Sequence, residues 1–273
     1  MTTQPQTADL AAVKAKQQQA WSTGDYAIVG ASLLIVSEQL CEAADLHSGH
    51  KVLDVATGSG NTALAAARRW CEVTGIDYVP ALLKHANDRA TAEQLHVTFK
   101  EGDAENIPCT DESFDVVMST FGVMFAPNQE QAASEMLRVC RPEGLIAMAN
   151  WVPDGCVGEI FRVIAKYIPP APGLKPAALW ATQDRLTELF GSQTNNIQLT
   201  RRSYYFRYRS AQHWVDTFST YYGPIVKAFG ALDTDGKKSL SADLVDILNR
   251  HNRAGNDALV SQADYAEIVI TKK

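Results

Sequence analysis

Short apolar runs alternate with segments of helical spacing between residues 51 and 151. The apolar runs are a few residues long and end at glycine or polar clusters, which is typical of buried strands. The predicted strands are 51–55, 72–77, 96–101, 114–119 and 145–151, and the predicted helices are 63–70, 80–94 and 130–140. Strands and helices that alternate in this way predict a parallel sheet with helices on both faces.

Helical patterns also precede the first strand and follow residue 151. Helices are expected at 10–21, 26–46, 155–167, 183–190, 212–222 and 240–249, and two further strands at 197–209 and 265–272. Because the connections between the last strands are long, we assign them to a cap. The predicted fold class is α/β: a Rossmann-like, mostly parallel seven-stranded sheet with helices on both faces, N-terminal helices and a small helical cap inserted among the last strands.

Charge and cysteine content exclude several classes of protein. The 25 basic and 31 acidic residues give a formal net charge of −6, which argues against a nucleic-acid partner. Five widely spaced cysteines without a CxxC pair exclude a disulfide framework and a cysteine-rich zinc site, and they fit a reducing compartment. No uncharged stretch approaches the roughly 20 apolar residues of a membrane span, and the N-terminus lacks a signal pattern. We therefore expect a cytoplasmic chain with no membrane span.

The turn after the first strand carries the strongest chemical signal. Residues 52–63 read VLDVATGSGNTA, which predicts a buried strand, a glycine-rich turn and a helix of small residues. Gly58 and Gly60 would let the backbone bend sharply against a ligand, and the N–H groups at the helix start would face a polar or anionic group. Gly58-x-Gly60-x-x-Ala63 also matches the dinucleotide pattern, and a tight turn without a ligand has the same sequence, so the turn alone does not decide.

Acidic residues near the turn favour one interpretation. Asp77, 19 residues past Gly58, suits a ribose diol because a carboxylate accepts hydrogen bonds from both hydroxyls. Asp54 lies four residues before the first glycine, where a carboxylate would face a cation or an amine. The third strand closes with EGDAE at 101–105, which adds an acceptor beside the same cleft. The long helical segment before the first strand also departs from dinucleotide-binding domains, which commonly begin with that strand.

Together these segments resemble the class I S-adenosylmethionine-dependent methyltransferases, in the branch similar to the ubiquinone and menaquinone biosynthesis methyltransferases. The resemblance rests on the order and spacing of several motifs rather than on the glycine turn alone. The motifs are VLDVATGSGN (52–61), TGIDYVP (74–80), EGDAENIP (101–108), FDVVMSTFGVMF (114–125) and LRVCRPEG (137–144). They span the region from about residue 51 to 151, and after residue 151 the resemblance is too weak to indicate a substrate.

The resemblance implies S-adenosylmethionine as the cofactor, S-adenosylhomocysteine as the product, no metal, and a role for each matching residue. Asp54 would lie near the methionine amino group, Gly58 and Gly60 would line the methionine and ribose portion, and Asp77 would bind the ribose hydroxyls. The implied cofactor site comprises Asp54, Thr57, Gly58, Gly60, Asp77, Tyr78, Asp103, Ala104, Ser119 and Thr120. Within it, Asp103 and Ala104 would hold the adenine edge, and Ser119 and Thr120 would pass under the methionine end. Ala56-Thr57 departs from many relatives, which have glycine or cysteine there, and we expect only a slight effect on packing.

On this hypothesis residues 1–273 form a single methyltransferase domain. It comprises N-terminal helices (1–50), a cofactor-binding core (51–151), and cap insertions with the last two strands (152–273). The partner would be a small-molecule acceptor methylated on oxygen, nitrogen or carbon by direct displacement. A general base is needed only where the acceptor keeps its proton at working pH. The sequence singles out no catalytic residue, and His213 is the candidate base among six histidines.

Several apolar and aromatic residues could contribute to the expected site. Phe121, Met124 and Phe125 could form an apolar wall for the acceptor or pack the cap. Trp21 and Tyr26 could close over the bound donor. Segment 201–209 interleaves arginines with aromatic rings, which could bind RNA or a phosphorylated substrate, but an amphipathic strand with a solvated arginine face is favoured.

Segment 233–236 is interpreted as a polar turn, because its glycine is misplaced for a calcium loop.

Two other functions remain as alternatives. An NAD(P)-dependent oxidoreductase would use the same glycine turn, although no Tyr-x-x-x-Lys pair is found on a predicted helix. A non-catalytic S-adenosylmethionine-binding protein would bind the donor but lack a pocket for an acceptor.

Overall fold

The computed structural model describes residues 9–273, and its centre is a seven-stranded sheet. The strands are β1 (Lys51–Val55), β2 (Glu72–Asp77), β3 (Val97–Glu101), β4 (Phe114–Thr120), β5 (Cys140–Trp151), β6 (Thr194–Tyr208) and β7 (Leu259–Lys272). Their order across the sheet is β3-β2-β1-β4-β5-β7-β6. Strands β1 to β5 pair in parallel, and β7 pairs antiparallel with both β5 and β6. The predicted mostly parallel seven-stranded sheet is confirmed.

Helices connect the strands and continue into the cap. The N-terminal helices are α1 (Leu10–Trp21), α2 (Tyr26–Gly30) and α3 (Leu34–Ala43), and the core helices are α4 (Asn61–Ala67), α5 (Pro80–Ala92) and α6 (Gln129–Val139). Helices α7 (Cys156–Tyr167) and α8 (Gln183–Phe190) lie between β5 and β6, whereas α9 (Ala211–Tyr221), α10 (Gly223–Gly230) and α11 (Thr234–Arg250) lie between β6 and β7. The cap predicted among the last strands is therefore formed by these later helices.

The inner strands are apolar along their length because both of their faces are covered. Val52, Leu53 and Val55 of β1 are completely buried, as is Val117 of the neighbouring β4. Parallel strands covered by helices on both faces have continuous apolar runs of this kind. The sheet's central position in the core is thus visible in the sequence itself.

Several predicted boundaries are wrong by a few residues. Helix α4 ends at Ala67 rather than at residue 70, because Trp70 adopts a left-handed backbone with φ of +63°. Helix α5 ends at Ala92, before Gln94, which has φ of +56°. Strand β7 begins at Leu259, six residues before its predicted start, since it continues pairing with β6 beyond the end of β5.

The predicted helix 26–46 is divided and shorter than expected. A 3₁₀ turn at Ala31–Leu33 separates α2 from α3, and α3 ends at Ala43. The run Tyr26–Ala43 has a mean hydropathy of 1.3 over 18 residues, which by length and composition is enough to cross a membrane. This corrects the expectation that no segment passes that test. Buried helices of a protein core pass it too, and Val36 and Leu40 are buried here.

The segment 233–236 is not a polar turn but the start of α11. Asp233 caps the helix, and its Oδ1 accepts a hydrogen bond of 2.8 Å from the N–H of Gly236. Asp is a preferred N-cap residue because it satisfies an N–H group that has no partner within the helix. Helix α11 therefore begins six residues before its predicted start at Leu240.

Helix α10 was not predicted. It is eight residues long and begins with Gly223, where an added Cβ would lie 1.9 Å from the carbonyl oxygen of Ala20. Glycine at this position lets the cap approach the end of α1 closely. The N-terminal helices and the cap thus meet on the same side of the molecule.

Candidate functional site

A cavity lies at the carboxyl ends of β1, β2 and β4, beside the loop after β3, and we call it the carboxylate cavity. Protein atoms leave about 940 Å³ of space there, part of which is open solvent. Eight of the ten residues predicted from the sequence line it: Asp54, Thr57, Gly58, Asp77, Tyr78, Asp103, Ala104 and Thr120. The fold therefore brings residues from four different strand ends around one space.

The backbone of the turn between β1 and α4 is left-handed at three positions. The φ angle is +54° at Ala56, +54° at Gly58 and +85° at Gly60. A Cβ atom at Gly58 would lie 3.4 Å from the ring of Tyr26, whereas one at Gly60 would lie 3.1 Å from the Cβ of Ala86. Gly60 therefore lets the start of α4 pack against α5, and it stands behind the cavity rather than in its lining.

Asp54 is buried at the end of β1, and its two oxygens differ in their partners. Oδ2 accepts hydrogen bonds from the Thr57 hydroxyl at 2.5 Å and from the Ala63 N–H at 2.9 Å, while no residue between 9 and 273 donates to Oδ1. Burial raises the pKa of Asp54 to about 7, although both hydrogen bonds act in the opposite direction. A cationic ligand would favour the ionised form of so buried a carboxyl.

Thr57 has a larger role than was expected from its place in the turn. Its hydroxyl fixes one oxygen of Asp54, and its N–H donates to the carbonyl of Ile76 at 2.9 Å. The departure at residues 56–57 therefore affects the carboxylate directly. The expected slight effect on packing stays a prediction.

Asp77 ends β2, and its carboxylate holds two segments of backbone. Oδ2 accepts a hydrogen bond from the N–H of Gly58 at 2.8 Å, and Oδ1 accepts one from the N–H of Val79 at 2.9 Å. Burial raises the pKa of Asp77 to about 6 against these hydrogen bonds. Each carboxylate oxygen has two lone pairs, so the group retains acceptor capacity for a ligand.

Helix α1 closes the carboxylate cavity from the side of β3. The ammonium group of Lys14 lies 2.6 Å from Asp103 Oδ2 and 2.5 Å from Glu105 Oε2. The amide of Gln18 donates to the carbonyl of Tyr78 at 2.5 Å. Side chains of α1 and side chains at the ends of β2 and β3 thus form one wall.

Sequence analysis missed the contribution of α1 to this wall. Lys14, Gln17 and Trp21 all line the cavity, and they are three and four residues apart, so they lie on one face of the helix. Of these three residues, the sequence analysis named only Trp21. The helical spacing between them is the signal that would have identified Lys14 and Gln17. Gln17 Oε1 is buried and has no hydrogen-bond donor within residues 9–273. It offers an acceptor to a bound molecule.

The two hydroxyl residues at the end of β4 are placed differently. The Ser119 hydroxyl donates to the carbonyl of Val55 at 2.8 Å and accepts from the N–H of Val123 at 2.9 Å, so it joins β1 to the loop after β4. It is completely buried and does not line the cavity. Thr120 does line it, and its hydroxyl accepts a hydrogen bond of 2.8 Å from Thr62. Only the second of the pair is available to a ligand in the cavity.

A second cavity of about 550 Å³ adjoins the first, and we call it the aromatic chamber. Five residues line both spaces: Trp21, Tyr26, Leu33, Phe121 and Phe125. The other lining residues come from α2, β5, β6, the cap helices α7, α9 and α10, and the junction between α9 and α10. Phe121, which has a left-handed backbone with φ of +53°, stacks on Trp151 at 3.8 Å between ring centroids. Met124 is buried in the core and lines neither cavity.

The candidate base is not brought to either space. His213 opens α9 as expected, but its Nδ1 accepts a hydrogen bond from the Arg209 N–H at 3.3 Å, and it lies outside the lining of both cavities. The other five histidines also lie outside the lining of both cavities. Within residues 9–273, no group of three or more His, Cys, Asp or Glu side chains is arranged to hold a metal ion.

Comparisons with known proteins agree on one family. Residues 53–148 match the model of a methyltransferase domain. An uncharacterised protein of Mycobacterium tuberculosis strain H37Rv is 35% identical over 235 residues, which cover 85% of this chain and 86% of that protein. A demethylmenaquinone methyltransferase of Deinococcus radiodurans is 38% identical over 131 residues, 46% of this chain and 54% of the enzyme. This chain belongs to the class I S-adenosylmethionine-dependent methyltransferases.

The fold of the methyltransferase is also that of solved structures. The YcgJ protein of Bacillus subtilis superimposes with a TM-score of 0.60 over 87% of this chain and 98% of that one, at 17% sequence identity. A likeness at this identity concerns the fold alone. It confirms the predicted Rossmann-like arrangement.

The carboxylate cavity fits the methyltransferase's cofactor, S-adenosylmethionine. That molecule has an ammonium group, a sulfonium, two ribose hydroxyls and an adenine amine, and each of these is a cation or a hydrogen-bond donor. The cavity supplies acceptors: the free Oδ1 of Asp54, the Asp77 carboxylate and the unpartnered Oε1 of Gln17. The acceptors of the cavity and these donor and cationic groups of the ligand are therefore complementary.

Proposed function

We propose that this methyltransferase transfers the methyl group of S-adenosylmethionine to oxygen, nitrogen or carbon of a small-molecule acceptor. The bond between sulfur and the methyl carbon breaks, its electron pair stays on sulfur, and the acceptor's lone pair or carbanion forms the new bond. An acceptor that starts protonated gives its proton to water. The second product is S-adenosylhomocysteine. The single observation that carries the proposal is the carboxylate cavity together with the aromatic chamber, which shares five lining residues with it.

Asp54 would bind the amino-acid end of the methyl donor, and Asp77 would bind its ribose. The free Oδ1 of Asp54 suits the ammonium group, since burial leaves this carboxylate without another cation. Asp77 suits the ribose hydroxyls, because its oxygens keep lone pairs beyond those used by Gly58 and Val79. The backbone of Gly58 would lie along the donor, beside the Tyr26 ring, which comes within 3.4 Å of the position that a Cβ would occupy.

The adenine would lie toward α1 and the end of β3. Asp103, Ala104 and Tyr78 line that side of the cavity together with Gln17. The Asp103 carboxylate pairs with the Lys14 ammonium through Oδ2 and keeps further lone pairs, so this carboxylate, the Ala104 backbone and Gln17 Oε1 are the groups that would meet the base. The positions of Gly60 and Ser119 assign them a supporting role, in which they shape the turn and join β1 to the loop after β4.

The protein's contribution to the reaction would be alignment and exclusion of water. The cofactor supplies an electrophilic methyl group, so displacement needs a nucleophile placed behind that carbon. Holding the two reactants in line can contribute about 7–11 kcal/mol of a barrier in well-oriented systems. Tyr26 and Phe121 line both cavities, and they would bound the passage between donor and acceptor.

Binding and turnover experiments test the proposal. Isothermal titration should show binding of S-adenosylhomocysteine and no comparable binding of NAD. Incubation with S-adenosylmethionine labelled on its methyl group and an organic-solvent extract of cells should transfer label to a small molecule. Tight binding of NAD without S-adenosylhomocysteine would favour the oxidoreductase. Binding of S-adenosylhomocysteine without transfer to any fraction would favour the non-catalytic binding protein.

We further propose that residues 1–273 act as a single methyltransferase domain in the cytoplasm. Support for one domain comes from the last strand, since β7 pairs with β5 of the core and β6 of the cap region. Support for the location comes from the five cysteines, which are all free thiols. Limited proteolysis and localisation of a tagged chain would test the two statements.

A further inference from the structure

The aromatic chamber is lined without a formal charge. Its sixteen lining residues are aliphatic or aromatic, and no Asp, Glu, Lys, Arg or His from residues 9–273 is among them. By contrast, the adjoining carboxylate cavity contains Lys14, Asp54, Asp77, Asp103 and Glu105. Two spaces that share a wall thus have opposite chemistry. A charged group that entered the chamber would lose its hydration without gaining an ionic partner, which is costly.

The chamber is also bounded by stacked rings. Phe121 and Trp151 are parallel within 3° at 3.8 Å, and Trp214 and Phe218 lie at 16° and 3.8 Å. Each pair presents broad apolar surfaces to the surroundings, and aromatic surfaces favour flat partners that stack or pack edge to face. The shape and chemistry of the walls both favour a planar, apolar occupant.

One residue that lines the chamber has a buried polar atom without a partner. Trp214 is 1% exposed, and its indole N–H is buried with no hydrogen-bond acceptor within residues 9–273. A buried donor left unpaired is unfavourable, so an acceptor atom on a bound molecule would stabilise it. The other polar side-chain groups among the lining residues are the hydroxyls of Tyr26 and Tyr222 and the indole N–H groups of Trp21 and Trp151.

We propose that the methyl acceptor is an uncharged, flat, largely apolar molecule bound in the aromatic chamber, with an oxygen atom that accepts a hydrogen bond from the Trp214 indole. This inference rests on the proposed methyl transfer, because it names the substrate class for that same site. The acceptor's reacting atom would face the wall formed by Tyr26 and Phe121, which the chamber shares with the carboxylate cavity.

A matched pair of probe molecules tests whether the chamber prefers an uncharged ligand. 2-Naphthol and its 6-sulfonate have the same rings and hydroxyl, and they differ by one anionic group. Their binding to the protein saturated with S-adenosylhomocysteine is measured by isothermal titration. We expect 2-naphthol to bind at least about tenfold more tightly, because the sulfonate would be desolvated in the chamber. Equal affinities, tighter binding of the sulfonate, or no binding of 2-naphthol would overturn the proposal.

A matched pair of variants tests the location. Ile164 of α7 lines the chamber, is only partly buried and does not line the carboxylate cavity, whereas Ile35 of α3 is 57% exposed and lines neither space. Ile164→Glu should weaken 2-naphthol binding at least about tenfold, and Ile35→Glu should leave it unchanged. Equal binding by both variants would overturn the assigned chamber. Circular dichroism on both variants reports whether the fold is retained.

Trp214→Phe tests the polar contact separately, because it keeps an aromatic ring and removes the N–H. We expect about threefold to tenfold weaker binding of 2-naphthol, the usual loss for one hydrogen bond. Unchanged affinity would overturn the contact with Trp214. In every sample, S-adenosylhomocysteine binding is measured as well. If the unmodified protein did not bind S-adenosylhomocysteine, the proposed function would be contradicted. If it bound S-adenosylhomocysteine but bound the two naphthol probes equally, only the acceptor class would be contradicted.

Discussion

The hydroxyl of Thr57 donates a 2.5 Å hydrogen bond to Oδ2 of Asp54, whereas Oδ1 has no donor among residues 9–273. The arrangement orients a buried carboxylate before any ligand arrives. Because the side chain is fixed by the turn that follows its own strand, ligand binding needs no reorganisation of this group. Such preorganisation reduces the entropy that binding must offset.

Burial of Asp54 predicts a particular pH dependence of stability for the ligand-free protein. Its pKa is raised to about 7, whereas in the unfolded chain it has its ordinary value of about 3.9. Between these values the folded protein binds more protons than the unfolded one, so the free energy of unfolding falls as pH rises from about 4 to about 7. Chemical denaturation at several pH values should show this decline. Asp77, with its pKa raised to about 6, adds to it up to that pH.

Asp54→Asn should flatten the part of this decline between about pH 6 and pH 7, by up to about 1 kcal/mol per pH unit. The control is Asp257→Asn, which removes an exposed carboxylate far along the chain. That variant should have the slope of the unmodified protein. If Asp54→Asn kept the full slope as well, the titrating group would lie elsewhere.

Asp77→Ala should weaken binding of S-adenosylhomocysteine and also lower the melting temperature. The first effect follows from loss of the acceptor assigned to the ribose. The second arises because the N–H groups of Gly58 and Val79 lose their partner, and an unpaired buried N–H costs about 1–3 kcal/mol. The loss of these two backbone contacts is why the substitution affects stability as well as affinity. Titration calorimetry and thermal denaturation measure the two effects.

Asp77→Asn separates the effect on ligand affinity from the effect on stability, since an amide oxygen can still accept a hydrogen bond from one of the two N–H groups. Its melting temperature should lie nearer to that of the unmodified protein, while ligand affinity stays reduced. Unchanged affinity in both variants would show that Asp77 does not bind the donor.

Sequence patterns predicted the sheet and the glycine turn because local chemistry determines both. The buried run at Lys51–Val55 and the capping glycine of α4 are specified by neighbouring residues. Contacts between distant segments were not visible: Gln18 reaches Tyr78 across 60 positions, and Tyr204 donates to the Ser32 carbonyl across 172. The wall formed by α1 and the aromatic chamber consist of such contacts. They depend on how the cap and the N-terminal helices pack, which no local pattern encodes.

Lys14→Met should loosen α1 against the carboxylate cavity. The substitution removes the ion pairs with Asp103 and Glu105 but keeps a long side chain on the helix. Because these partly exposed pairs are worth at most about 1 kcal/mol each, the fold should persist. We expect faster hydrogen exchange at the amides of Leu10–Trp21, and about twofold to fivefold weaker binding of S-adenosylhomocysteine, since Gln17 and Trp21 would be held less firmly.

The matched control is Lys16→Met, at an exposed position of the same helix. It should leave both hydrogen exchange and affinity as in the unmodified protein. Equal exchange rates in the two variants would mean that the ion pairs do not hold α1 in place.

Gly223→Ala should destabilise the contact between the cap and the N-terminal helices. An added Cβ would lie 1.9 Å from the Ala20 carbonyl oxygen, which is backbone and cannot rotate away, so α10 or the end of α1 must shift. We expect a loss of at least about 2 kcal/mol, or several degrees in melting temperature. Gly230→Ala is the control at the other end of α10, where no atom lies within 4 Å of the new Cβ. It should be neutral or slightly stabilising, because alanine favours helix. Similar melting temperatures for the two variants would show that α10 does not require the close approach at Ala20.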